Sequence, residues 1–359
     1  MTDQVDMVEG VLPDGVLAAM IARGEITGTP AIDPAQIQPA SLDLRLGPKA
    51  YRVRASFLAG AGKAVTDRLA EFRMHEMDLS DGAVLEKGCV YVVPLMEGLA
   101  LPGDVSAVAN AKSSTGRVDC LTRVITDGGV EFDRIPAGYQ GPLYAEICPR
   151  SFSVLVQPGL KLNQIRFRRG QAVLSDAELA DRHAQTPLVD GEPLISDGLG
   201  FSVDLTPTDG GLVGYRAKPH TGVIDLSALA AHDTAEFWEE VRSENGRIIL
   251  DPGAFYILVS REAVTIPPDC AAEMAPYLAM VGEFRVHYAG FFDPGFGHGV
   301  PARGVLEVRC HEAPFALEHG QVVGRLIYER MASLPEALYG VDIASNYQGQ
   351  GLKLSKHFR

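Results

Sequence analysis

The sequence predicts an all-β chain, mainly strand with a few short helices, built as two diverged copies of one domain. Three observations carry this. Segments recur in the same order at a nearly constant spacing. Short β-branched and aromatic runs alternate with turn residues. Glycine (38) and proline (23) are frequent enough in 359 residues to punctuate many short strands, which favours a turn-rich β protein over a helical bundle.

The repeat comes first because it sets the domain count. Ser41-Leu42-Asp43-Leu44 matches Ser202-Val203-Asp204-Leu205 at an offset of 161. Ala70-Glu71-Phe72 matches Ala235-Glu236-Phe237 at 165, as do Leu85 to Tyr91 with Leu250 to Tyr256, and Leu101 to Asp104 with Ile266 to Asp269. The offset returns to 161 for Glu146 with Glu307 and for Gln157-Pro158-Gly159 with Glu318-His319-Gly320. Two copies of this length point to domain duplication and not to a solenoid. The expected division is 1–172, a linker over 173–198 and a second domain over 199–359.

Within copy one, Asp14 to Arg23 predicts a short amphipathic helix with Leu17, Met20 and Ile21 on one face and Gly24 as its stop. Cys89 to Leu95, Leu143 to Cys148 and Ser153 to Val156 predict strands, separated by Pro102-Gly103, Gly128-Gly129 and Pro158-Gly159. Copy two repeats the pattern over Phe255 to Val259, Val305 to Cys310 and Val322 to Tyr328. Between the copies, Ser175-Asp176-Ala177-Glu178 is a capping box opening a polar helix.

Composition narrows the function. A net charge of −14 argues against nucleic acid or an anionic membrane as partner, while a local basic pocket can still hold an anionic small molecule. Five cysteines without a C-x-x-C pair predict neither a disulfide framework nor a structural zinc site, and suit a reducing cytoplasm. The first ten residues lack the pattern of a signal peptide, and no apolar run reaches the roughly 20 residues of a membrane span.

Two local motifs carry chemistry. Lys112-Ser113-Ser114-Thr115-Gly116-Arg117 sets two cations, hydroxyls and a glycine within six residues, a plausible phosphate clamp. Downstream, Arg134-Ile135-Pro136-Ala137-Gly138-Tyr139-Gln140-Gly141 turns into an apolar strand carrying one carboxylate, Glu146. Apolar company disfavours the charged form of a carboxylate and suits it to general-base work, although strand alternation leaves open which way Glu146 points. Copy two keeps Asp293-Pro294-Gly295 and Glu307, but Met274 to Leu278 replaces the hydroxyl pair, so it reads as mainly structural, with Asp293 or Glu307 as potential lenders to a composite site. Histidines such as His298 and His311 lack metal-ligand spacing. Arg166, Arg168 and Arg169 read first as a solvated strand end and second as a subunit contact or phosphate approach.

Taken together, Ile37 to Gly47, Lys112 to Arg117, Arg134 to Glu146 and the tail Asn346-Tyr347-Gln348-Gly349-Gln350-Gly351 resemble the motifs of the dCTP deaminase family within the trimeric dUTPase-like superfamily. The resemblance implies tandem β-clip or distorted jelly-roll barrels and hydrolytic deamination of dCTP to dUTP and ammonia. It implies Glu146 as general base, with Ser113 and Arg117 positioning water, base and carboxylate. Lys112 and Ser114 would face the triphosphate, with Arg134 in the substrate-binding set. Tyr347 and Gln350 would close over the nucleotide, with Lys353 and Lys356 near. No catalytic metal is implied: the chain lacks the H-x-E…P-C-x-x-C pattern of zinc deaminases, and Mg²⁺ would arrive with the triphosphate. A homo-oligomer, a trimer foremost, and feedback by dTTP are also implied. Pro136 replaces the family's Asp and weighs against dUTP hydrolysis at that site. The alternatives are a dUTP diphosphatase or bifunctional enzyme, and a non-enzymatic nucleotide-binding regulator.

Overall fold

The computed structural model describes residues 8–206, 211–243, 245–276, 284–287, 290–340 and 351–359. Both copies are made of small antiparallel sheets, and the repeat is visible strand for strand. In copy one a sheet runs Cys120–Thr126, Gln140–Pro149, Val90–Ala100, Lys49–Val53, Arg73–Asp78. In copy two the matching order is Phe284–His287, Ala302–Cys310, Phe255–Val264, Leu212–Ala217, Trp238–Arg242. Rows of residues across the two sheets correspond. Tyr51, Val92, Glu146 and Arg123 lie in register in copy one, as do Tyr215, Ile257, Glu307 and His287 in copy two.

The expected helix over Asp14 to Arg23 forms as Asp14–Ala22, burying Leu17 and Met20. The expected strands all form; five run longer than their apolar runs, because antiparallel pairing continues past the buried residues, while that at Ser153 to Val156 covers only Val154–Val156. Gln36 is fully buried and donates to the Asp43 carbonyl and to Glu97, which also pairs with Arg45 at 2.7 Å. Gln36, Glu97 and Arg45 thus form a hydrogen-bonded polar cluster in the core; a lone buried charge there would cost several kcal/mol.

The segment between the copies is packed, not free. Ser175 caps helix Asp176–Gln185 through the capping box, and Leu179, Leu188 and Val189 enter the copy-two core. No helix among the described residues is long and apolar enough to cross a membrane.

The copies interlock through corresponding segments that take different courses. In copy one, residues 54–72 fold back on their own sheet, and Phe57, Ala59, Val65 and Leu69 pack on Val92, Ile125 and Tyr144. In copy two, the matching residues 218–237 cross over. Ile224–Asp225 pairs in parallel with Val154–Val156 of copy one, and Ile224, Leu226, Phe237 and Trp238 join the copy-one core. Ile257 and Val305 belong to that same core, so the copy-two sheet face that carries them is covered by copy one.

Arg166 and Arg168 of the basic run lie between the copies, which corrects their reading as a solvated strand end, while Arg169 pairs with Asp104 of copy one. Arg166 is fully buried; its guanidinium donates to Asp293 (3.0 Å), Glu329 (3.2 Å) and the Ala272 and Phe292 carbonyls. Arg168 pairs with Glu273 and Glu329.

Candidate active site

The clamp folds as a single short helical turn, Ser113–Gly116, with Lys112 before it and Arg117 at its C-terminal cap. This packing leaves Ser114, Thr115 and Arg117 buried and Lys112 and Ser113 partly open. A cleft of about 340 Å³ opens beside the turn, lined by Asp43, Lys112, Ser114, Thr115, Lys161 and Lys356 among others. Asp43 touches Lys112 and lies 3.8 Å from Lys161. Lys356 is pushed below the usual lysine range by burial and by Lys112, against the pull of Asp43. Three cations around one carboxylate form a local anion site on an acidic protein. Lys161 is a site residue that sequence reasoning missed; its only signal is its place after the Pro158-Gly159 turn.

The glutamate facing the clamp belongs to copy two. Glu307 is buried, and its Oε1 lies 3.9 Å from Nε of Arg117. Burial pushes its carboxyl up to about 8, opposed by the charge of Arg117. The hairpin before it adjoins the same turn: a Cβ at Gly290 would lie 3.8 Å from Ser113 Oγ. Gly295 (φ +96°) and Gly297 (φ +69°) allow the tight turn that sets Asp293 against Arg166. Lys112 and Asp43 are near enough to Asp293 to act on its ionisation in opposite senses, while burial raises it.

Glu146, expected as the general base, is elsewhere. It is buried, which strand alternation had left open, and its carboxylate accepts from Ser56 Oγ (2.6 Å) and from both Nε and the terminal nitrogen of Arg123. Arg123 sits directly across the strand pair from it, and residues 54–72 cover that face. The structure does not bring Glu146 together with Ser113 and Arg117; residues of the 54–72 segment, Ser56 among them, cover its face of the sheet. Arg134 is likewise apart, in a separate groove with Asn110, Thr122, Arg123, Asp133 and Glu273. The hairpin beside the clamp is copy two's and carries Asp293, where copy one has Pro136.

The C-terminal tail docks on its own chain. Arg117 donates to the Lys353 carbonyl (3.1 Å), and Ser355 Oγ donates to the Ser114 carbonyl (2.8 Å). Phe358 packs among Phe237, Trp238 and His232. His357 is pushed down to about 4 by burial and Lys356 and is neutral near pH 7. Tyr347 and Gln350 lie outside the described residues. Among the described residues, no group of three or more His, Cys, Asp or Glu could hold a metal.

These features define a pair of β domains in which a cleft lined by Lys112, Lys161 and Lys356 adjoins the clamp turn and the buried Glu307 carboxylate of copy two faces Arg117 of copy one. Comparison with known proteins agrees. The family model for the 2'-deoxycytidine 5'-triphosphate deaminase N-terminal domain matches residues 8–171, and that for its C-terminal domain matches 175–358. A dCTP deaminase of Halorubrum lacusprofundi is 32% identical over 184 residues, half of this chain and 87% of that protein. A dUMP-forming dCTP deaminase of Beutenbergia cavernae is 29% identical over 160 residues, 44% of this chain and 79% of that one. The crystal structure of 2'-deoxycytidine 5'-triphosphate deaminase from Agrobacterium tumefaciens superimposes with a TM-score of 0.87 at 56% identity, covering 90% of this chain and 99% of that chain. This chain belongs to the dCTP deaminase family, in a fused two-domain form.

Proposed function

We propose that this chain hydrolyses dCTP to dUTP and ammonia at one site built from both copies, with Glu307 as general base. The supporting observation is the buried Glu307 carboxylate of copy two facing Arg117 of the copy-one clamp. Glu307 takes a proton from a water as its oxygen bonds to C4 of cytosine, and delivers that proton to N3. The second water proton passes to the amine, the C4–N4 bond breaks, and ammonia leaves with the carbonyl formed and N3 still protonated. Arg117 offsets the burial cost of the anionic base. A base whose pKa lies near the working pH is efficient in both directions of proton transfer.

The triphosphate fits the cleft of Lys112, Lys161 and Lys356, with Ser114 at its wall and Mg²⁺ entering on the nucleotide. By the same chemistry dTTP competes there. Five cysteines without a C-x-x-C pair accord with a reducing cytoplasm. Asp293 beside the clamp favours one second reading, a dUMP-forming enzyme. Incubation with dCTP separates them: ammonia with dUTP supports deamination alone, dUMP with pyrophosphate supports the second reading, and binding without turnover refutes both.

Because clamp, base and tail lie in one chain, the site does not need a partner subunit. Mixing a Glu307→Gln chain with an Arg117→Met chain should restore no activity; recovery would place the site between chains. Lys356→Ala should raise KM for dCTP about tenfold with kcat nearly unchanged, the effect of removing one charge-assisted hydrogen bond. Steady-state kinetics at two salt concentrations checks this, with a weaker salt dependence in the variant.

A further inference from the structure

Beside the Glu307–Arg117 pair lies a second ion pair of opposite polarity. Arg309 follows Glu307 by two residues on strand Ala302–Cys310, so the two side chains share a face. Asp119 follows Arg117 by two residues on copy one. Arg309 touches the Asp119 carboxylate, lies 3.2 Å from Ser151 Oγ and donates to the Gly253 carbonyl at 2.7 Å.

Asp119 is a fixed point. It is fully buried in the left-handed conformation (φ +52°), which an aspartate tolerates better than most residues. Its N–H donates to the Gly116 carbonyl, its carbonyl accepts from the Arg150 N–H, and its side chain accepts from Ser151 Oγ at 2.5 Å. It is tied at once to the clamp turn and to the chain after strand Gln140–Pro149.

The two pairs differ in closure. Arg309 and Asp119 are in contact, whereas Glu307 and Arg117 stand 3.9 Å apart, beyond hydrogen-bond distance. A glutamate locked directly on the guanidinium would have less acceptor capacity for a reacting water. One withdrawn further would lose the opposing charge of Arg117 and be held still more strongly as the neutral acid. Holding it between these states requires a strut outside the reacting groups.

We propose that Arg309, acting through Asp119, is a positioning residue that sets the spacing between the Glu307 carboxylate and the Arg117 clamp. The inference rests on Glu307 as the base. The test uses the full-length chain with Arg309→Met, Arg309→Lys, Asp119→Asn and Ser151→Ala, and with Glu307→Gln as reference. Arg309→Met should lower kcat at least tenfold while KM for dCTP stays within twofold, and should move the acid limb of kcat/KM. Arg309→Lys should recover part of kcat. If Arg309→Met does not fold, Asp119→Asn and Ser151→Ala should show the same pattern more weakly. Unchanged kcat and acid limb with only a lower Tm would reduce the pair to a structural tie and overturn the proposal. So would a tenfold rise in KM at constant kcat, which would point to direct binding of substrate by Arg309. If Glu307→Gln itself retains activity, the reading of the base fails, independently of Arg309.

Discussion

Glu307→Gln should lower kcat for dCTP by about 10²–10⁴, the range for removal of a general base, with KM little changed. The wild-type kcat/KM should rise with pH along an acid limb near 8, because the free enzyme must hold Glu307 as carboxylate and burial raises its pKa to about 8. Stability should run the other way. The folded state keeps a proton that the unfolded chain gives up at the ordinary glutamate pKa of 4.5. Stability from this group is thus present below 4.5, falls as pH rises toward 8 and is gone above it. Glutamine removes the dependence, so Glu307→Gln should raise Tm, and more at pH 8.5 than at pH 6. Glu146→Gln should instead retain turnover and lower stability, because it leaves Arg123 without its carboxylate. Equal reduction of kcat in both variants would undo this assignment.

Arg166→Met should cost about 3–5 kcal/mol, the range for removing one partner of a buried ion pair. Arg166 and Glu329 are both fully buried, and Asp293 nearly so. The methionine would leave Asp293 with a buried, unmatched charge and two carbonyls without their donor. The Arg166 guanidinium also lies 4.2 Å from the Phe291 ring centroid, a cation–π interaction that an uncharged thioether cannot supply. Urea denaturation should show a lower midpoint at unchanged slope. A change within 0.5 kcal/mol would mean the network is replaceable. Because the residue joins strand Lys161–Arg169 of copy one to the copy-two hairpin, its removal should also loosen the hairpin against the clamp.

The duplication is asymmetric in a way that assigns one task to each half. Copy one supplies cations, hydroxyls and Arg117. Copy two supplies the buried carboxylate, the hairpin and the tail. Arg123 and Ser56 satisfy the equivalent carboxylate of copy one, which holds that half together as a closed polar pair under residues 54–72.

By itself the sequence determined the repeat, the β class, the strand positions and the clamp, because period-two patterns, turn residues and a compact motif are local properties. The match of Glu146 with Glu307 was also legible. Only the tertiary structure shows that Glu307 faces Arg117 while Glu146 pairs with Arg123. A strand pattern states that one face is buried but not what buries it, and here matching segments diverge: 54–72 return to their own sheet, while 218–237 cross to copy one. That divergence exposes Glu307 to Arg117 and confines Glu146 to Arg123. Pairing of strands Ser41–Arg45 and Lys161–Arg169 brings Asp43 and Lys161 together, and the docked tail adds Lys356 to the same cleft.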